Sequence, residues 1–289
     1  MIKDVLYILL SALSFALSTV FAKLVMDASD ISAMELTFLR FFAGFALAAV
    51  YVAVKKLSLK PQSVKNVGMR SIFNVGAAIF FFLAVEYSTV TKSNILNMTY
   101  PIFVFLLAPY VNKEKVPVLH YFFLVLGMAG IYFVVMPDVS EFYLSNINKG
   151  DIYGFLSGLL AGFAVAYLRE ARKYDSTFVI LFYHMGIGTL ITLALAFRGF
   201  MIPHGIVLIY VILTVITSVA GQVFITLGYK SINAAAGSLI SCSRILIAAL
   251  LGVTIFSDPL TLKIIAGGVL ITVSLTGVSG IIEGRKKQA

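Results

Sequence analysis

EYSTVTKSNILNMTYPIFVFLLAPYVNKE, residues 86–114, decides how the rest of the chain is read. A tight polar turn feeds one apolar run. That run carries Asn94, Asn97 and Pro101 at spacings of three and four, which puts them on one face of a helix. Amides and a proline are costly among lipid chains unless they face a cavity or another helix. Half a chain later the pattern returns as GYKSINAAAGSLISCSRILIAALLGVTIFSD, residues 228–258, with Arg244 where the first copy has Pro101. A polar helix that occurs twice predicts two membrane repeats built around a shared site.

Composition sets the class. Of the 289 residues 60% are hydrophobic and 12% charged, whereas a soluble domain is about 45–50% apolar and could not hide this excess. The apolar runs are continuous and about twenty residues long, as spanning helices require. A transmembrane β-barrel would instead alternate polar and apolar residues in strands of roughly ten. The single cysteine, Cys242, lies in such a run, so one chain holds no disulfide framework. The expected fold is therefore all-α and membrane-integral.

Ten spans are predicted, near 5–25, 35–54, 69–87, 93–112, 118–136, 152–170, 177–197, 205–228, 236–256 and 260–282. With the amino terminus cytoplasmic, the cytoplasmic segments hold Lys3, Lys55, Lys56, Lys60, Lys65, Arg70, Lys113, Lys115, Arg169, Arg172, Lys173, Lys230 and the tail Arg285-Lys286-Lys287. The opposite side holds Lys23, Lys92, Lys149, Arg198 and Lys263. This bias follows the positive-inside rule and predicts both termini in the cytoplasm of a cell with this protein in its inner or plasma membrane. The net charge of +9 is thus a topology signal rather than a nucleic-acid signal, and the basic tail is an anchor for anionic lipid. Val20-Phe21-Ala22 loosely fits a signal-peptidase site. Removing the first span would leave 152–170 without a counterpart, so the span is read as retained.

The longest loop, 137–151, separates a first five-helix half (1–136) from a second (152–282), with a basic tail at 283–289. Ser11 and Lys23 bracket span one much as Ser157 and Arg169 bracket span six. Arg40 and Gly44 correspond to His184 and Gly188, Tyr87-Ser88 to Tyr229-Lys230-Ser231, and Glu114 to Asp258. Five is odd, so the second half enters the membrane from the other side. The expectation is ten transmembrane helices as two inverted repeats, with a site near mid-membrane at their interface.

The chain resembles the drug/metabolite transporter superfamily, in particular its EamA-type ten-helix members. The marks are Arg40 in TFLRFFAGF, the turn AVEYSTVTKSN, Pro101, VNKEKVP, TLGYKSINAAAGS and the ending FSDPLTLKIIAGGVLITVSLTGV. They run through essentially the whole chain and imply fold and transport class, not substrate. Where the family's ninth span often carries a Glu-Pro pair, this chain has Ser243-Arg244.

Candidate substrate-binding residues follow from polar groups at depth. Arg244 lies about eight residues into span nine, roughly 12 Å at 1.5 Å per residue. It either anchors a substrate carboxylate or phosphate or satisfies carbonyls freed around Pro101. His184 is either a proton carrier or a hydrogen-bonded packing residue. Asn94, Asn97 and Tyr100 line the outer cavity or bridge helices. Asn74, Gln222, Ser14 and Ser18 fit interhelical hydrogen bonding or a site role, and Ser241 joins the candidates. Arg40 reads as shallow and free to snorkel outward. Lys23 and Glu86 read as gate or solvated residues, and Gly154, Gly158 and Gly162 as a small-residue packing line.

No carboxylate falls mid-span, and no Walker loop, HExxH or Cys/His metal cluster occurs. The reading that follows is a secondary transporter without metal or cofactor. It moves a small polar metabolite, most favourably an amino acid or related organic anion, by alternating access. A nucleotide-linked or phosphorylated substrate is the alternative within transport. A membrane-embedded lipid-modifying enzyme is the alternative outside it, but would want paired acids or His/Asp clusters. A channel or scaffold is a third reading. The expected partners are the substrate and the bilayer, with no nucleic acid, in a monomer or homodimer.

Overall fold

The computed structural model describes residues 2–87, 90–135, 148–196, 200–255 and 260–278. Ser88, Arg198, Asp258, residues 137–147 of the expected linker and the tail 283–289 lie outside the described residues, as do the side chains of Glu86 and Lys92. Every regular element among the described residues is helical. In order they are α1 (Ile2–Ala28), α2 (Ala33–Val54), α3 (Val64–Tyr87), α4 (Val90–Asn97), α5 (Tyr100–Leu107), a π-turn (Ala108–Asn112), α6 (Val118–Val135), α7 (Lys149–Ala171), α8 (Thr177–Ala196), α9 (Gly205–Gly228), α10 (Ala234–Ser241), α11 (Ser243–Ile255) and α12 (Leu262–Val278). Among the described residues eight spans are long and apolar enough to cross a membrane, and α6 and α12 are shorter apolar helices.

Two expected spans are interrupted. Pro101 has no N–H to give the Asn97 carbonyl. The chain answers by tightening, with Thr99 N donating to Leu96 O at 3.2 Å and Ile102 N to Thr99 O at 2.9 Å. Pro109 then removes another donor, and the turn widens to a π-turn ending on Lys113 at φ +55°. The interruption in the ninth span has no proline. There Cys242 N donates to Leu239 O at 2.9 Å and Ile245 N to Cys242 O at 3.0 Å. Ser241 Oγ and Cys242 Sγ turn back onto Gly237 O and Ser238 O, at 2.9 and 3.4 Å. Such side chains compete for the carbonyls of the preceding turn. The two interruptions are tied together: the Tyr100 hydroxyl donates to Ser238 O at 3.1 Å.

Helix starts are capped where the chain re-enters. Ser32 and Glu35 form a reciprocal capping box on α2, and Asn148 and Asp151 form one on α7. The most extensive helix pairs are α3 with α7, α1 with α9, α6 with α12 and α2 with α8. Because lipid supplies no hydrophobic drive between helices, close packing and hydrogen bonds hold such pairs. Ser11 Oγ donates to Gly221 O (2.8 Å) and Ser18 Oγ to Thr214 O (3.1 Å) between α1 and α9. Ser157 Oγ donates to Ala77 O (2.8 Å) between α7 and α3, and Ser274 Oγ to Phe123 O (2.7 Å) between α12 and α6.

The glycine line of α7 packs on the interrupted span. A Cβ on Gly158 would lie 2.6 Å from Leu96 O and 2.7 Å from Thr99 Oγ1. Gly158→Leu is therefore expected to overpack this contact by at least the ~1–3 kcal/mol typical of inserted methylenes, seen as a lower midpoint in thermal unfolding of detergent-solubilised protein. Gly68→Ala, where a Cβ meets nothing within 4 Å, should leave the midpoint unchanged or raise it. Equal midpoints for Gly158→Leu and wild type would contradict this packing.

Candidate functional site

The interior polar residues gather between α1, α2, α3, α8, α9 and α11. By sequence Arg70 counts with the cytoplasmic charges, at the very start of the expected span 69–87; α3 begins earlier, at Val64, so Arg70 is its seventh residue and is 3% exposed. Its Nη1 donates to Asn74 Oδ1 at 2.8 Å and its Nη2 to Gln222 Oε1 at 3.3 Å. Asn74 Nδ2 faces His184 Nε2 at 3.4 Å. Since Asn74 Oδ1 is occupied by Arg70, the amide must donate, and His184 Nε2 accepts. That assigns the ring proton to Nδ1, which is buried without a partner in the structure. The imidazole is 1% exposed and meets the Phe41 ring edge-on at 5.5 Å.

Arg40 also departs from expectation. It does not point outward. Its side chain shares a cavity of about 10 Å³ with Phe41, Met185, Ser218, Val219 and Gln222, a volume that suits a single water. Its Nε is buried without a partner, and among the described residues Arg40 makes no hydrogen bond or ion pair. The snorkelling reading fails because α2 presents Arg40 to Gln222 and Met185 rather than to its own outer end.

Arg244, in the first turn of α11, has one hydrogen-bond contact among the described residues, Nη2 to the Met98 thioether at 3.5 Å. Its guanidinium lies 6.0 Å from the centre of the Phe15 ring, within cation–π range. It is within Coulombic range of Arg40 and of Tyr100. It does not cap the carbonyls freed around Pro101.

The other candidates divide. Asn74, Gln222 and His184 belong to the Arg70 cluster. Tyr100 and Ser241 sit at the junction of the two interruptions. Asn97 Nδ2 donates to Ser157 Oγ at 2.7 Å and so bridges to α7. Asn94, on α4, is half-buried. Ser14 Oγ turns back to Leu10 O of its own helix, and Ser18 Oγ bridges to Thr214 O. A wider groove of about 480 Å³ lies between α11 and α12, walled by Leu246, Leu250, Val253, Ile264 and Val269. It is almost wholly apolar, and the hydroxyl of its lining Thr272 is turned back onto Gly268 O of the same helix at 2.8 Å.

A second polar cluster closes one end of the bundle. Glu114 Oε1 pairs with Arg169 Nε at 2.7 Å, while its Oε2 accepts from Ala234 N, the first residue of α10, at 2.7 Å. Arg169 Nη1 also donates to Tyr229 O and Lys230 O, at 3.2 and 2.6 Å. Buried Asn112 donates to Ala166 O at 2.8 Å, and Lys173 Nζ donates to Asn112 O at 2.7 Å. Arg172 donates to Thr226 O and Asp175 O, and Asp175 accepts from Gln62 N and Ser63 N. Among the described residues no group of three His, Cys, Asp or Glu could hold a metal.

The model of the EamA-like transporter family matches the chain twice, at residues 2–136 and 148–280. The pseudopaline exporter CntI of Pseudomonas aeruginosa is 26% identical over 279 residues, covering 96% of this chain and 97% of that one. An uncharacterised transporter of Helicobacter pylori is 28% identical, covering 97% and 96%. Solute carrier family 35 member G1 of Mus musculus is 23% identical, covering 94% and 77%. A solved structure shares the fold, with a TM-score of 0.79 at 17% identity over 99% of both chains.

Proposed function

The chain belongs to the EamA-like transporter family and is a multi-pass membrane transporter, and on that premise we propose that it is a secondary transporter of a small organic anion or amino acid. The observation that carries the reading is the placement of Arg40, Arg70 and Arg244 among interior helices without a carboxylate partner among the described residues. Guanidinium is charged at all physiological pH. A charged side chain at membrane depth marks a pathway or a ligand.

Alternating access between two inverted five-helix repeats fits the packing. Under the repeat, α1 corresponds to α7 and α3 to α9. The α1–α9 and α7–α3 pairs then become equivalents, as do their bonds from Ser11 to Gly221 O and from Ser157 to Ala77 O. The two matches of one family model support the same division. Under the repeat the interrupted spans four and nine are counterparts, and they meet through Tyr100 and Ser238 O; discontinuous helices bind substrate in many carriers. In the N-in, C-in orientation the Glu114–Arg169 cluster is the cytoplasmic closure. The setting is an inner or plasma membrane, and one relative's name makes outward movement the direction to test first.

Uptake into proteoliposomes tests this. Saturable flux of a carboxylate-bearing amino acid or organic anion, without ATP, is expected. His184→Gln should keep the wild-type pH profile, because the imidazole is enclosed by Phe41, Asn74 and the nearby Arg70 and Arg40 rather than by a proton path. Non-saturable flux would indicate a channel. An altered pH profile in His184→Gln would restore the proton-carrier role.

A further inference from the structure

Not all arginines in this chain are treated alike, and the difference is informative. Arg169 holds a carboxylate and two carbonyls, and Arg172 holds two carbonyls. Each of these arginines donates through Nε and Nη1 to fixed protein acceptors. Arg40 has no hydrogen-bond partner among the described residues, and Arg244 has only a thioether. A guanidinium offers five donors in a planar fork suited to carboxylate or phosphate. Arg40 and Arg244 are partly exposed, whereas Arg70 is 3% exposed, so their unpaired donors are open to a ligand, and the two groups lie within Coulombic range of each other.

The described acidic residues do not offset this charge. Glu35 caps α2 and also accepts from Met201 N. Glu114, Glu170 and Asp175 are engaged in the closure cluster. Asp151 caps α7, and Asp4, Asp27 and Asp30 lie at or beyond the ends of α1. The interior thus carries the charge of three guanidiniums. It has two poles, Arg244 with Phe15 and Met98 and Arg70 with Asn74 and Gln222, and Arg40 borders both, within Coulombic range of Arg244 and in one cavity with Gln222.

A zwitterionic amino acid brings no net charge and leaves the whole excess in place. Resting on the transport reading above, we propose that the substrate carries two separated anionic groups, one for the Arg244 pole and one for the Arg70 pole, with Arg40 bordering both and a dicarboxylate as the simplest such molecule. The neutral donors Asn74 and Gln222 are already directed onto Arg70 and hold its fork in place. The Phe15 ring gives Arg244 an apolar floor, so the part of the substrate between the two acids is flanked by carbon there.

The test is equilibrium binding to the full-length, detergent-purified protein. The probes are dicarboxylates from succinate to adipate, the half-amide of each, glutamate with glutamine, and glycerol phosphate. At least one dicarboxylate should bind tenfold or more tightly than its half-amide. That preference should disappear in both Arg40→Gln and Arg244→Gln, each checked for folding by its unfolding midpoint. Equal binding of acid and half-amide overturns the proposal, as does retention of the preference in either variant or binding of none of the panel. Glycerol phosphate as the sole tight ligand overturns it too, since one phosphate would serve both poles. Dicarboxylate binding without flux into proteoliposomes would sink the transport reading and leave this one standing. Saturable flux of zwitterions alone would do the reverse.

Discussion

Arg244→Gln is expected to weaken substrate binding by more than thirty-fold while leaving the empty protein as stable as wild type or more so. Truncating one member of a buried charge pair costs about 2–5 kcal/mol of binding, and the substrate anion is the partner that Arg244 lacks in the structure. Without substrate the same guanidinium is an uncompensated charge among helices. Replacing it by a neutral amide removes a desolvation cost rather than a contact. The two readouts therefore move in opposite directions. A structural arginine would behave otherwise: its loss would lower the unfolding midpoint and spare affinity. Titration of the preferred anion and thermal unfolding of the same preparation decide between them, and unchanged affinity in Arg244→Gln sinks the anchor role.

Glu114→Gln is expected to open the closed end of the bundle. Glu114 joins the segment before α6 to α7 through Arg169 and to the first N–H of α10, both at 2.7 Å. The pair is mostly shielded, with 14% of each side chain exposed. Hydrogen bonds to charged groups contribute about 1.5–3 kcal/mol, so losing one shifts an open–closed equilibrium by roughly ten- to a hundred-fold. The chain supplies its own reporter. Its single cysteine, Cys242, is 1% exposed at the interruption of the ninth span. In detergent-solubilised protein, where both ends are accessible, a polar maleimide should modify Cys242 at least tenfold faster in Glu114→Gln, and anion binding should no longer protect it. A labelling rate equal to wild type, with only a lower unfolding midpoint, would make Glu114 a stability residue and not a gate.

The membrane class and the approximate spans were legible because lipid imposes a single rule on the chain. Twenty apolar residues are needed to cross, and every backbone donor must be satisfied within the helix. The interruption near Met98 was foreshadowed by Pro101, which removes a donor. The one at Cys242 was not: Ser241 and Cys242 turn back to carbonyls there, but Ser and Thr do the same in the chain's unbroken helices. Arg70, following Lys55, Lys56, Lys60 and Lys65, counts with the cytoplasmic charges at the start of a span, and its burial shows only once α3 is known to begin at Val64. Asn74 and Gln222 were visible as polar residues in apolar runs, but their common partner was not, since Arg70 and Gln222 are 152 positions apart.

Local chemistry, then, accounts for the class, the charge bias and the oddity of Arg244, since hydropathy, proline and intramembrane charge act within a turn or a span. Which arginines are paired and which are left for a ligand is decided between helices distant in the chain. Arg70 has Asn74 one turn along its own helix and gains Gln222 from α9, whereas no neighbouring helix brings Arg40 an acceptor among the described residues. The reason is geometric: a guanidinium is satisfied only by acceptors within about 3 Å and in its plane. No spacing along one helix specifies what a neighbouring helix will bring there. The stretch from Glu86 to Glu114 illustrates the division. Its proline announces an interruption, but its meeting with α10 through Tyr100 and Ser238, and its closure through Glu114 and Arg169, exist only in the packed bundle.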